Sequence, residues 1–240
     1  SFTVGLNRNN TFTNPIFPTG GSEFDFSVKF TLPYSAFNDV DYASLGEQRT
    51  EALATNDAEA LAVIDQQRFN WLEFYKVKFS GDWYNNLFDK LVLRTRFEYG
   101  FLGAYNNDRG IPPFERFFLG GDGLAGFALD GREIIALRGY PNQSILPRTR
   151  TVGGEESFND GASIYNKYTM ELRYPITLKP SASIYALAFM EGGATFDQFK
   201  DFTPFEMSRS AGAGLRIFMP AFGLLGIDFG YGFDPIPGSN

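Results

Sequence analysis

The sequence predicts an all-β fold: a transmembrane antiparallel β-barrel, of which this chain supplies about eight strands. Three observations lead to this prediction. Apolar and polar residues alternate over successive stretches, as in strands with one apolar face. Aromatic residues make up 17% of the chain, yet no apolar run reaches the roughly 18 residues of a membrane-spanning helix. Short and long connections also alternate strictly, as in barrels with tight turns at one rim and long loops at the other.

The composition narrows the possible functions. The chain has neither cysteine nor histidine, which removes thiol nucleophiles, thiolate metal sites and the Ser-His arrangements of hydrolases. The net charge of −7 disfavours a nucleic-acid partner, which normally selects a basic surface. We therefore expect a protein that is not an enzyme, uses no cofactor or metal ion and binds no nucleic acid.

The strands follow from the period-two pattern. Eight are predicted, near residues 1–10, 22–33, 71–84, 91–105, 164–175, 182–196, 209–219 and 223–233. Their polar faces are charged along the full length, which favours a water-filled lumen over the interior of a soluble β-sandwich, the alternative fold. Aromatic residues near the strand ends are typical of girdles at membrane interfaces.

The connections fall into two kinds. Short ones lie at 14–21, 85–90, 175–180 and 219–223, and long ones at 35–70, 106–163 and 197–208. We assign the short ones to periplasmic turns and the long ones to external loops of one barrel domain that occupies residues 1–240. Within the first long loop, the Ala-rich stretch from Thr50 to Gln67 predicts a surface helix.

The loop from Asn106 to Ser163 is unusually apolar for an external loop. It contains Pro112-Pro113-Phe114-Glu115-Arg116-Phe117-Phe118-Leu119 and Ile134-Ile135-Ala136-Leu137. Leaving so many apolar side chains in water is unfavourable. The pattern favours a loop folded into the lumen, and the alternative is a loop packed on its neighbours outside the barrel.

Short motifs in this loop carry a family resemblance. Leu137-Arg138-Gly139-Tyr140 resembles the (Val/Leu/Ile)-Arg-Gly-(Phe/Tyr) motif of the sixth external loop in the BamA superfamily of outer-membrane proteins, which includes the two-partner-secretion transporters. Phe118-Leu119-Gly120-Gly121 is similar to the aromatic segment that precedes that motif. An insertion from Leu124 to Ala136 separates the two segments and departs from the family pattern.

The strands that follow the loop extend the resemblance over the whole chain. Phe189-Met190-Glu191-Gly192-Gly193 is similar to the family's Phe-X-Asp-X-Gly, with Glu in place of Asp, and Met170 to Pro175 is similar to the preceding strand. The segments 211–216 and 226–231 resemble strands near the family's C-terminus. The resemblance implies that Glu171, Phe189, Glu191 and Gly193 lie on the lumen wall opposite the loop motif.

The strand parity agrees with this placement. It puts Lys167, Thr169, Glu171 and Arg173 on the lumen side, and likewise Phe189 and Glu191, while Met190 faces lipid. A loop arginine carried into the lumen needs carboxylate partners, and Glu171 and Glu191 are the natural acceptors for Arg138. Gly139 would permit close approach to the wall, and Tyr140 is placed to pack on Phe189.

Three interpretations of this constellation remain. It is a lock that stabilises the barrel, or it handles substrate directly, and these two are compatible. The third treats the two carboxylates as a glycosidase-type acid and base, for which no second sequence feature was found.

The resemblance also implies a function, and it implies which part of a longer barrel this chain represents. The implied function is that of the central insertase of the outer-membrane assembly machinery, which folds barrel proteins through a lateral gate. Such a protein is integral to the outer membrane of a Gram-negative-type bacterium. Its partners would be unfolded outer-membrane proteins, lipid and accessory lipoproteins. The alternatives are a two-partner-secretion-type transporter and a passive channel or structural barrel. Counting from the sixth loop, the chain would hold strands eight to fifteen of about sixteen, with the periplasmic domains and the final strand outside it.

Overall fold

The computed structural model describes residues 1–11, 14–122, 132–147 and 161–236. Within them, eight long strands form one antiparallel sheet in which each is paired with the next along the chain, which confirms the predicted fold class. The strands are β1 (Phe2–Asn9), β2 (Gly21–Phe30), β3 (Tyr75–Phe88), β4 (Leu91–Gly103), β7 (Ile164–Lys179), β8 (Ala182–Phe196), β9 (Ser208–Met219) and β10 (Gly223–Gly232). Among the described residues, β1 and β10 form the two edges of this sheet, which is not closed into a barrel.

The two faces of the sheet differ in chemistry and in exposure. On β7 and β8, Glu171 and Glu191 are 3% and 5% exposed, whereas the neighbouring Met170 and Met190 are 49% and 62% exposed. Successive residues in a strand point to opposite faces. The charged side chains therefore share a covered face, and the apolar ones share an outer face.

Two strands run further than the sequence pattern predicted. β3 continues to Phe88, past a register shift after Asn86, and ends in a two-residue turn at Asp89 and Lys90. β7 continues to Lys179 through Pro175, where the register shifts again. Proline lacks the N–H that a regular ladder needs, and the irregularity lets the strand continue past it.

The loop between β2 and β3 holds two helices where one was predicted. These are α1 (Tyr42–Ala54) and α2 (Ala58–Arg68). The break falls at Asn56, which has a φ of 54°, and Asp57 caps α2 by accepting hydrogen bonds from two backbone N–H groups. In the part of the chain that the structure describes, neither of these helices nor any other is both long and apolar enough to span a membrane.

The connection between β4 and β7, residues 104–163, is called the motif loop below. It contains two short parallel strands, β5 (Phe117–Leu119) and β6 (Glu133–Ile135). The ring of Phe117 lies 4.7 Å from that of Tyr165 on β7, and Phe117 and Leu119 are fully buried. The described part of the motif loop therefore packs on the covered face of the sheet.

Candidate functional site

Arg138 reaches three strands from the motif loop. One guanidinium nitrogen, Nη2, donates to Glu171 Oε1 at 2.9 Å on β7 and to Glu191 Oε1 at 2.7 Å on β8. The other, Nη1, lies 3.4 Å from Asp228 Oδ2 on β10. The Arg138 side chain is 12% exposed, and those of Glu171 and Glu191 are 4% and 2% exposed. Charge-assisted hydrogen bonds at such buried positions are among the stronger noncovalent contacts in proteins.

Backbone and ring contacts hold the same arginine in place. The Arg138 backbone N–H donates to Glu191 Oε2 at 2.9 Å, so Glu191 binds both the main chain and the side chain of this residue. The guanidinium carbon lies 3.6 Å from the centre of the Phe189 ring, a cation–π contact. Phe189 itself lies against Gly212 of β9, where a side chain would collide with the ring.

The two carboxylates have further cationic partners on the wall. Glu171 accepts hydrogen bonds from Arg94 at 3.2 Å and from Arg173 Nε at 2.9 Å, and Lys167 lies 3.4 Å from Glu191. Arg138 is therefore one of several cations that contact Glu171 and Glu191. Burial by itself lowers the pKa of Arg138, but hydrogen bonding and attraction from Glu191, and then from Glu171, outweigh it and raise the pKa overall.

Gly139 brings the loop backbone against β10. Its φ is +91°, and an added Cβ would lie 2.8 Å from Tyr231 C and 2.9 Å from Gly232 N. Across the contact, an added Cβ on Gly230 would lie 2.8 Å from Gly139 N. Both the positive φ and the close backbone approach require glycine at this position of the loop.

Tyr140 does not pack on Phe189 as predicted. It lies in a different cluster, with Leu119, Leu137 and Ile145. Its hydroxyl donates to the Arg209 carbonyl at 2.7 Å and accepts from the Asp234 N–H at 3.1 Å. Burial raises the pKa of Tyr140, so the hydroxyl keeps its proton and joins the ends of β9 and β10.

Leu137 and Gly193 complete the set of residues singled out from the sequence. Leu137 is fully buried and donates its N–H to the Gly121 carbonyl at 3.0 Å. A Cβ on Gly193 would lie 3.0 Å from Leu119 and 3.6 Å from Leu137, so this glycine leaves room for the loop on β8. All eight predicted residues meet where the loop and the wall join. Of the insertion from Leu124 to Ala136, residues 124–131 lie outside the described part of the chain.

Sequence reasoning missed several members of the site, each for a definable reason. Asp228 and the β10 glycines carry no signal that links them to the loop, since the contact depends on tertiary packing. Arg94 lies in the predicted strand at 91–105, but its pairing with Glu171 depends on the β4–β7 register. What results is a noncovalent lock in which a loop cation joins three strands.

The fold and the lock together define a class. A sheet with an apolar outer face, a charged covered face and a loop anchored inside it is typical of outer-membrane barrel proteins with a plugged lumen. The family model described as the Omp85 superfamily domain matches residues 1–238. This chain belongs to the Omp85 superfamily.

A solved structure supports the fold. The chain is similar to the crystal structure of BamA from Haemophilus ducreyi lacking POTRA domains 1–3, with a TM-score of 0.63 and 19% sequence identity. The match covers 98% of this chain and 39% of that one. A comparison with curated proteins found no significant match. This likeness shows the fold of an outer-membrane β-barrel, and this chain spans less than half the length of that solved chain.

Proposed function

We propose that this chain is part of the central insertase of the outer-membrane assembly machinery, which folds and inserts β-barrel proteins. The observation that carries the proposal is the buried lock of Arg138 on Glu171 and Glu191. It pairs the residues of the Arg-Gly motif with those of the Phe-X-Asp-X-Gly-like segment. The likeness of the fold to a BamA barrel supports it.

The lock gives the loop a mechanical role in this function. An exposed strand edge offers N–H and C=O groups on which an extended substrate strand can pair. Such a template is useful only if the rest of the wall keeps its register. A loop cation that joins β7, β8 and β10 maintains the relative positions of these strands while an edge elsewhere in the barrel exchanges partners.

The proposed partners follow from the same role. They are unfolded outer-membrane proteins, the surrounding outer-membrane lipid and accessory assembly lipoproteins. No cofactor and no catalytic group are invoked, because folding of the substrate in lipid supplies the free energy.

The experiment is depletion of the full-length parent protein in its own cell, followed by quantification of outer-membrane barrel proteins. A general loss of many unrelated barrels is expected. Loss of one exported protein, with other barrels at normal levels, would overturn the proposal in favour of a two-partner-secretion-type transporter. A parent in which Arg49→Ala replaces a surface arginine of α1 serves as the complementation control.

A further inference from the structure

A second set of ion pairs attaches the motif loop to β2 and β3, towards the other edge of the sheet. Glu133 of β6 contacts Lys76 at 2.6 Å and Lys78 at 3.0 Å, both on β3. Glu115, earlier in the loop, contacts Lys29 of β2 at 2.6 Å and Lys76 at 3.5 Å. Here the loop supplies the carboxylates and the wall supplies the cations, the reverse of the arrangement at Arg138.

The segment between the two ion-paired residues, Glu133 and Arg138, is short. Residue 133 is five positions before residue 138, so the segment spans at most about 18 Å when fully extended. The strand registers put Lys78 level with Thr195, four residues from Glu191, and β8 is three strands from β3. Strand spacing and rise then give about 20 Å between Lys78 and Glu191. β6 and the bridge between Leu137 and Gly121 hold the segment extended and nearly straight, and side chains cover the remaining distance.

We propose that Glu133 is a positioning residue, which holds β6 on Lys76 and Lys78 and thereby keeps Arg138 over Glu171 and Glu191. A nearly straight segment cannot let one end move without pulling on the other. Release of the Glu133 end therefore gives Arg138 freedom to leave its two carboxylates.

The opposite polarity of the two ends fixes the direction in which the loop crosses the sheet. If the segment lay the other way round, Glu133 would face Glu171 and Glu191, and Arg138 would face Lys76 and Lys78. Both ends would then be repulsive, and like charges in contact oppose an alternative arrangement as effectively as good contacts favour the correct one. The charges thus select a single orientation.

Glu133 is charged in this environment. Burial alone would raise its pKa, but attraction from Lys76 and then Lys78 outweighs burial and lowers the pKa overall. Glu115 shares Lys76 with Glu133 and also contacts Lys29. Glu133 therefore acts as an anion on a lysine-bearing part of the wall.

This inference deepens the proposed role of the loop and rests on that function only for its biological purpose. The test is the reactivity of a single thiol, because this chain contains no cysteine. Leu137→Cys is introduced into the full-length parent protein in lipid vesicles, with any cysteine elsewhere replaced. Leu137 is fully buried beside Arg138, so the thiol should react slowly with a water-soluble maleimide. Adding Glu133→Gln should raise that rate about tenfold, the order expected when charge-assisted hydrogen bonds no longer oppose local opening.

Three comparisons separate positioning from general destabilisation. Glu133→Lys should raise the rate further, and adding Lys78→Glu should restore much of the protection. Glu59→Gln on exposed α2 should leave the rate unchanged. A thiol at Val92, buried on β4 in the cluster that contains Phe189 but no residue of the motif loop, should stay protected in every variant.

Two results would overturn the inference. One is a thiol at position 137 that reacts as slowly with Glu133→Gln as without it. The other is an equal rise at positions 137 and 92, which would make Glu133 an ordinary stability residue. Neither result bears on whether depletion removes many barrels or one exported protein, so failure of the proposed function would be visible separately.

Discussion

Replacing Arg138 by alanine should lower the free energy of unfolding of the barrel by about 3 kcal/mol. Removing one partner of a buried ion pair costs roughly 3–5 kcal/mol. The lower end applies here, because Glu171 and Glu191 each keep another cation on the wall. Loss of the contact with Phe189, at 3.6 Å, acts in the same direction.

The assay is urea unfolding of the full-length parent in lipid vesicles, followed by loss of the compact, fast-migrating band on unheated gels. Arg138→Lys should lose about half as much, because an ammonium group cannot lie flat on the Phe189 ring while it reaches both carboxylates. Arg49→Ala is the matched control. Its partner Asp65 lies at 2.8 Å, but both side chains are about 30% exposed, so the loss should stay below about 1 kcal/mol.

A double-mutant cycle identifies the partner. If Arg138 acts through Glu191, then Arg138→Ala and Glu191→Gln together should differ from the sum of the single losses by more than about 0.5 kcal/mol. Additive losses, or an Arg138→Ala protein as stable as the parent, would refute the lock.

Four further perturbations test other parts of the structure. Gly139→Ala should destabilise the barrel by about 1–3 kcal/mol more than Gly223→Ala, since both glycines have positive φ but only Gly139 faces backbone atoms at 2.8 Å; equal losses would argue against the close contact. Tyr140→Phe should cost about 1–2 kcal/mol through its two hydroxyl hydrogen bonds, and unchanged urea unfolding would remove the hydroxyl from the lock. Met170→Arg should reduce folding into vesicles by about 2–4 kcal/mol near the midplane, and an unaffected folding yield would mean that the two faces have been assigned the wrong way round. Because the folded pKa of Glu133 lies below its ordinary 4.5, its contribution is present above that pH and is lost as the pH falls through the folded value. Labelling of a thiol at position 137, measured relative to an exposed reference thiol at the same pH, should therefore accelerate below about pH 4.5, and a ratio independent of pH there would contradict this.

The sheet was predictable from the sequence because one rule, period-two alternation, acts over every strand. Glu171 and Met170 could be assigned to opposite faces without any coordinates, and the exposures agree. The helix break was not predictable from composition, because Asn56 and Asp57 terminate one helix and cap the next by local backbone geometry. The passage of β7 through Pro175 depends on a register shift with β8, which is invisible in a single strand.

The site was predictable only where charge demanded a partner. A buried arginine needs carboxylates, and parity offered Glu171 and Glu191. Nothing in the sequence linked Glu133 to Lys76 and Lys78, because their pairing depends on where the motif loop crosses the sheet.

The contact of Gly139 with β10 has a consequence for the order in which the protein folds. Gly226, Gly230 and Gly232 leave the covered side of β10 with few side chains besides Asp228, and glycine weakens a strand by the entropy that it must lose. The β9–β10 hairpin can form its ladder early, but its inward packing is completed only when the motif loop arrives. Docking of the loop therefore adds inward packing of β10 to the β8–β9 ladder that already joins this hairpin to the rest of the described sheet.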